Sequence, residues 1–323
     1  MSVIKVLSEE NYAENMKNIV EPYLEKYRYS DYFSSYRGGK LFYNTFLRDD
    51  AKGTVIILHG FTESSEKFFE MTYYFLKAGY NVFSLDHRGH GKSLREGDDP
   101  ETVYLRSFDD YVKDFRRFFA LIVEPQSVGL PCYLYAHSMG GAIAVRYLQD
   151  YRCEGIDKCV LTAPMISAKT HGLPHSVTTV LTSVLTCVGQ GMKRVPTGKG
   201  FNANRTWEES NATSKDRFDY WQAKRVADRD YQASDPSNKW TLEAMKLIPK
   251  IMSRRNCSRI DIPVLLCQAE EDGSVENPKH NEFVKKLPDG RLVWFRDSRH
   301  EIYLSGSEVL QKYLDTIFEF IEG

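Results

Sequence analysis

Ala136-His137-Ser138-Met139-Gly140-Gly141 decides how this chain is read, because the strand-like run Cys132-Tyr133-Leu134-Tyr135 leads into it and the small-residue helical run Ala142-Ile143-Ala144-Val145 leads out. A serine on a sharp strand-to-helix turn has a strained backbone, which is tolerated only where its neighbours lack bulk. Gly140 and Gly141 supply that room. The pattern is A-x-S-x-G, with Ala136 two positions before the serine where glycine is usual, and a methyl group is the smallest departure from it. Short Gly/Ser turns between strand and helix also occur for purely structural reasons, so the rest of the chain must decide whether Ser138 is a nucleophile.

Working outward, apolar strand runs alternate with helical patterns, which implies βαβ units and a mostly parallel sheet flanked by helices. The runs are Val55-Leu58, Val82-Leu85, Tyr133-Tyr135, Cys159-Leu161, Val264-Cys267 and Leu292-Phe295. Helices are expected at about residues 8–27, 64–78, 107–124, 140–151, 277–287 and 306–321. Tyr32-Phe33 and Leu41-Phe42-Tyr43 flank Gly38-Gly39, a hairpin signal that adds antiparallel strands at one edge.

The alternation stops between residues 166 and 258. The expected organisation is an α/β core domain over 1–165 and 259–323 with a helical cap, 166–258, inserted after the sixth strand. Within the cap, Val177, Val180, Leu181, Val184, Leu185 and Val188 recur at helical spacing between uncharged Thr and Ser residues. Burying six such side chains is worth roughly 10 kcal/mol as an upper bound. The stripe is therefore expected against the body, an acyl chain or a membrane surface. As the wall of an acyl pocket it would make Val180, Leu181 and Val184 substrate-binding residues.

Serine is a poor nucleophile unless a histidine lies within hydrogen-bond reach and a carboxylate fixes that histidine's tautomer. Of eight histidines, His300 follows the last strand run and precedes the final helix, the expected place for the base. His59 and His137 flank the expected backbone donors and are assigned to shaping the site or touching substrate. His87 and His90 lie in a turn, His171 and His175 in the cap, and His280 in a charged segment read as surface. For the acid, Glu270, Glu271 and Asp272 compete in the loop after Val264-Cys267. Asp272, furthest into the loop and next to Gly273, is favoured, with Glu271 in reserve. Oxyanion donors are expected from the backbone N–H groups of Met139, directly after the serine, and of Phe61 in His59-Gly60-Phe61-Thr62.

Composition narrows the classes further. The 323 residues carry 43 Lys+Arg against 44 Asp+Glu, interspersed, which excludes the concentrated positive field of a nucleic-acid binder. Six cysteines lack metal-ligand spacing. The first residues offer no apolar signal core, so a cytoplasmic location is expected.

With elbow, acid loop, histidine loop and oxyanion segment in this order, the chain resembles the serine hydrolases of the α/β-hydrolase family. The branch it resembles most is that of bacterial lysophospholipases and monoacylglycerol lipases. The likeness runs from about residue 40 to the end and is carried by Leu58-His59-Gly60-Phe61, Asp86-His87-Arg88-Gly89-His90-Gly91-Lys92-Ser93, the elbow, Leu161-Thr162-Ala163-Pro164-Met165, Ala269-Glu270-Glu271-Asp272 and His300-Glu301-Ile302. It implies an α/β-hydrolase fold and an ester hydrolase that passes through an acyl-Ser138 intermediate. No metal or cofactor is called for, and the Asp86–Ser93 segment reads as a structural turn. The expected partner is a small-molecule or lipid ester, with transient membrane-surface contact through the cap. Three alternatives stay open: a small-ester carboxylesterase, an aminopeptidase using cap carboxylates such as Glu208, Glu209, Asp216 and Asp219, and a non-catalytic binding protein.

Overall fold

The buried runs pair into one eight-stranded sheet. In the computed structural model, which describes residues 4–170 and 172–323, the strands are β1 (Arg28–Ser34), β2 (Lys40–Phe46), β3 (Gly53–Leu58), β4 (Tyr80–Leu85), β5 (Cys132–His137), β6 (Lys158–Thr162), β7 (Val264–Glu271) and β8 (Gly290–Arg299). Their spatial order is β1-β2-β4-β3-β5-β6-β7-β8. The expected hairpin forms the antiparallel edge, β1 on β2 and β2 on β4. Every other pair is parallel. His171 lies outside the described residues.

Both faces of the sheet are covered, so the central strands read as continuous apolar runs. Alternation still sorts them: Ile56 and Leu58 of β3 enter one core, Val55 and Ile57 the other. Helices Asp109–Phe118 and Met139–Tyr151 line the first core. The second lies under the helical turns Tyr12–Glu25, helix Phe69–Lys77 and helix Ser307–Glu322. The strands thus converge with their carboxyl ends at one edge, where the loops after β3, β5, β7 and β8 meet.

Between β6 and β7 the chain inserts helices His175–Leu185, Lys215–Ala227 and Asn238–Ile251. A two-residue parallel pair, Thr102–Val103 with Asp235–Pro236, tethers this insertion to the loop after β4. Such a short pairing leaves no period in the sequence. Among the described residues no helix is long and apolar enough to cross a membrane.

Two expectations are corrected. The first concerns the apolar stripe, which does not pack on the body. Val177, Val180, Leu181, Val184 and Val188 stand 47, 63, 44, 54 and 65% exposed, while Thr178 and Thr182 are the buried residues of that helix. Helical periodicity says which residues share a face but not which face turns inward. Here the threonine face can be buried against helix Asn238–Ile251 because Thr182 and Thr186 donate their hydroxyls to the carbonyls four residues back, at 2.7 and 2.6 Å. The second concerns His280, which is fully buried rather than on the surface. Its Nε2–H donates to the Pro164 carbonyl at 2.7 Å, and burial pushes its pKa down to about 4.

Candidate active site

β5 ends at His137 and the next helix begins at Met139, so Ser138 alone makes the turn, at φ 50°, ψ −115°. A non-glycine residue held there costs about 1–3 kcal/mol and persists only where its surroundings over-determine it. They do: the Ser138 carbonyl accepts from Met165 N–H at 2.8 Å and Ala142 N–H at 3.2 Å, and Ser138 N–H donates to the Thr162 carbonyl at 3.1 Å. The flanking glycines are required sterically. A Cβ on Gly140 would lie 2.3 Å from the Leu58 carbonyl oxygen, and one on Gly141 would lie 2.7 Å from the Pro164 ring. Ala136, by contrast, fits its methyl into the core between β3 and β6.

The loop after β7 supplies the acid and the loop after β8 the base. Asp272 Oδ1 accepts two backbone N–H groups, from Ser274 at 2.8 Å and Val275 at 2.9 Å. Its Oδ2 accepts Nδ1–H of His300 at 2.8 Å, and His300 Nε2 lies 2.9 Å from Ser138 Oγ. The carboxylate therefore fixes the tautomer, leaving the Nε2 lone pair to face the serine hydroxyl. Burial disfavours the His300 charge, but the adjacent Asp272 carboxylate outweighs it and holds the imidazole above its ordinary pKa. Burial likewise pushes Asp272 up, and is outweighed by His300 and the two N–H donors, which hold it below the usual carboxylate range.

The competition among the three carboxylates is resolved by their partners. Glu270 accepts Asp297 N–H at 2.8 Å and so fixes the irregular end of β8, where Asp297 has φ 56°. Glu271 points into solvent.

Phe61 and Met139 carry the two expected oxyanion donors, and among the described residues neither backbone N–H has a hydrogen-bond acceptor. The Phe61 ring packs 4.3 Å from that of Trp240 in the insertion and 5.6 Å from that of His90, which ties the oxyanion segment to both halves of the fold. Beneath it lies a buried charge network that the sequence reading missed. Glu63 accepts Gly60 N–H at 2.6 Å, the Tyr303 hydroxyl at 2.5 Å and Lys67 Nζ at 2.9 Å. Lys67 also reaches Glu301 at 2.7 Å. Burial raises the Glu63 pKa, but Lys67 and the other partners reverse this and keep it ionised. Its signal was the Glu four residues before Lys67 on a helical turn, which in sequence is indistinguishable from a surface pair.

His59 and His137 are placed beside the site, yet the structure corrects their assignment to substrate contact. His59 is fully buried, its Nδ1–H donating to the Gly60 carbonyl at 2.7 Å and its Nε2 accepting from His87 N–H at 2.9 Å. His137 donates from Nδ1 to the Thr162 carbonyl at 3.1 Å and packs its ring 4.9 Å from that of His300. Burial pushes its pKa down to about 4. Both act as neutral struts. The Asp86–Ser93 turn is structural as read: Asp86 accepts Ser65 N–H at 2.7 Å and Lys92 N–H at 2.9 Å.

The arrangement can deprotonate Ser138 through His300 and hold the resulting imidazolium against Asp272, while among the described residues the N–H groups of Phe61 and Met139 stay free to donate. These are the requirements of acyl transfer.

Residues 49–305 match the family described as serine aminopeptidase, S33 (Hydrolase_4). The probable lysophospholipase L2 of Haemophilus influenzae is 27% identical over 307 residues, covering 93% of this chain and 94% of that protein. Lysophospholipase L2 of Escherichia coli K12 is 28% identical over 280 residues, covering 82% of this chain and 79% of that protein. Among solved structures, a soluble variant of monoglyceride lipase from Saccharomyces cerevisiae in complex with a substrate analogue superposes with a TM-score of 0.72 at 19% identity, over 91% of this chain and 94% of that one. That likeness concerns the fold alone.

Proposed function

The chain belongs to the Hydrolase_4 family of serine hydrolases, and from that premise we propose that it is a carboxylic ester hydrolase cleaving single-acyl lipids, lysophospholipids or monoacylglycerols. The observation that carries the chemistry is the unbroken line from Asp272 through His300 to Ser138, at 2.8 and 2.9 Å. The similarity to lysophospholipase L2 over nearly the whole chain supports the substrate class.

In this reading His300 Nε2 takes the Ser138 proton as Oγ attacks the ester carbonyl. The oxyanion accepts from Phe61 N–H and Met139 N–H, each worth about a hundred- to thousandfold in rate. Collapse expels the alcohol, which leaves with the proton from His300. Water then enters, gives a proton to His300 and attacks the acyl-serine, and the fatty acid is released with Ser138 restored. Asp272 stays ionised throughout and stabilises the imidazolium.

An aminopeptidase would need carboxylates converging on a substrate ammonium, and the insertion does not gather them. Asp216 and Glu208 are exposed, Asp219 is paired with Lys215, and Glu209 lines a cavity with three cations, Lys199, Arg205 and Arg225. Residues 166–258 serve in our reading as a cap, with the enzyme working from the cytoplasm and the exposed valine-leucine stripe meeting the surface of a lipid aggregate.

The test is fatty-acid release by the wild-type protein and Ser138→Ala from lysophosphatidylcholine, monooleoylglycerol and p-nitrophenyl esters of rising chain length. Ser138-dependent release from either lipid at the rate of the best small ester is expected. Activity confined to short esters would make it a small-ester carboxylesterase.

A further inference from the structure

A cavity of about 290 Å³ opens beside the oxyanion segment. Thr62, the residue directly after Phe61, forms one side of it. Lys199, Phe201, Arg205 and Arg225 of the insertion form much of the rest, with Glu209 the single carboxylate among its lining residues. Three cations thus face one anion, one residue from an oxyanion donor.

Arg225 is the unusual member. It is only 7% exposed, and buried arginines are normally neutralised by a carboxylate, because an unpaired buried charge costs several kcal/mol. Among the described residues no carboxylate lies within ion-pair distance of Arg225, Arg205 or Lys199. Arg225 is held by neutral groups only: Nε donates to the Tyr231 carbonyl at 2.9 Å, Nη2 donates to the Ala233 carbonyl at 2.9 Å, and its guanidinium carbon lies 4.8 Å from the centre of the Phe201 ring. Arg205 donates to the Glu209 carbonyl at 2.8 Å. Burial and the like charge of Arg205 together push the Arg225 pKa down to about 10, well within the charged range at neutral pH. Elsewhere in the molecule a comparably buried arginine, Arg217, is matched by Glu70 at 2.9 Å, so the fold neutralises such a charge where it is structural.

We propose that this cavity is a head-group site and that it takes a phosphate-bearing head group, which makes the preferred substrate a lysophospholipid rather than an uncharged monoacylglycerol. The inference rests on the lipase reading above. It fits the connectivity of such a lipid, in which the glycerol backbone alone separates the scissile ester from the phosphate. The ester at Ser138 and the phosphate past Thr62 are then held on adjoining surfaces. Guanidinium groups suit the task because they donate to phosphate oxygens in pairs.

The test compares 1-oleoyl lysophosphatidylcholine with 1-oleoylglycerol on the wild-type protein and Arg205→Met, with thermal melting to confirm folding. Arg225→Lys, which keeps the charge, is the second variant, since loss of the two carbonyl contacts of Arg225 endangers the fold. The expected result is a fall in the ratio of kcat/KM for the phospholipid over the glyceride of about tenfold or more in Arg205→Met, carried mainly by KM, and a smaller fall in Arg225→Lys. Glycerophosphocholine should inhibit the wild-type protein competitively and the variant more weakly. An unchanged ratio overturns the proposal. Inhibition by inorganic phosphate with an unchanged ratio also overturns it, in favour of a free-anion site. If Ser138 releases fatty acid from neither lipid but does from short esters, the lipase reading itself has failed and the head-group site falls with it.

Discussion

Glu63 accepts a 2.6 Å hydrogen bond from the N–H of Gly60, one residue before Phe61. The oxyanion segment is therefore held from beneath by a buried carboxylate, itself anchored by Lys67 and Tyr303. Gly60 must be glycine for this packing, because a Cβ there would meet Glu63 Oε2 at 2.8 Å and the His137 ring at 2.9 Å. Glu63→Gln keeps the shape and removes the charge. Its kcat should fall by about tenfold or more with KM little altered, as a donor is misplaced only in the transition state. The Glu63 charge also contributes, after Asp272, to raising the His300 pKa, so the acid limb of the pH–rate profile should move to lower pH. A variant that merely loosened packing would lose rate without that shift.

Asp272→Asn separates orientation from charge more sharply. His300 must be neutral to act as base, and its raised pKa places the acid limb of kcat/KM above pH 6.5, its ordinary value. Removing the carboxylate takes away the largest group raising it while burial remains, so the limb should drop below pH 6.5. The plateau rate should fall about 10⁴-fold, since an amide at this position favours the wrong tautomer. Rates measured from pH 5 to 9 check both, and a fall in rate with an unmoved limb would count against the assignment of Asp272.

Gly140→Ala should destabilise more than a generic glycine replacement in a helix, because the added methyl meets the backbone carbonyls of Leu58 and His59 at 2.3 and 2.6 Å, which cannot rotate away. Overpacking of this kind costs about 1–3 kcal/mol or more, and activity should be lost through displacement of Ser138. Ala136→Gly restores the usual elbow pattern yet removes a buried methyl. It should cost about 1 kcal/mol in urea unfolding while activity is kept.

The features read correctly from sequence share a property: each is fixed by local pattern. Strand runs such as Val55-Leu58 are continuous because both sheet faces are covered, and the elbow is legible because Gly140 and Gly141 admit no side chain. The sequence favoured Asp272 among three neighbours for its place beside Gly273, and the structure adds the two N–H groups of Ser274 and Val275 that turn it toward His300. What escaped were contacts whose partners, distant in sequence, follow no motif. Glu63 and Lys67 look like a surface pair until Tyr303 and Glu301 close over them, and His280 is buried with its Nε2–H donated to the carbonyl of Pro164. The stripe around Val180 was identified as a face but could not be oriented.

Arg217 and Glu70 join the insertion to the core through a buried ion pair at 2.9 Å, with the Tyr12 and Tyr74 hydroxyls also donating to Glu70. Breaking one side leaves the other charge stranded, which costs about 3–5 kcal/mol, whereas replacing both partners by apolar side chains can be nearly neutral. Arg217→Met should therefore lower the urea midpoint strongly, and Arg217→Met with Glu70→Leu should recover much of the loss. Small effects in both would mean that this part of the insertion detaches readily from the core.

The anchored helix Lys215–Ala227 contrasts with helix His175–Leu185, which carries no Asp, Glu, Lys or Arg and turns four apolar side chains outward, with Val188 just beyond its end. A monomer rarely maintains such a patch without a use for it. Covering the half of each side chain that remains exposed would contribute roughly 5 kcal/mol at most, enough to hold the protein at a lipid surface reversibly. Cys187, the only exposed cysteine of the six, sits beside this patch, so an environment-sensitive fluorophore attached there should shift to the blue on adding phosphatidylcholine vesicles. Val180→Lys with Val184→Lys should abolish the shift and lower hydrolysis of vesicle-borne substrate relative to a soluble short ester. An unshifted wild-type probe, with hydrolysis of vesicle-borne substrate intact, would separate lipid access from this helix.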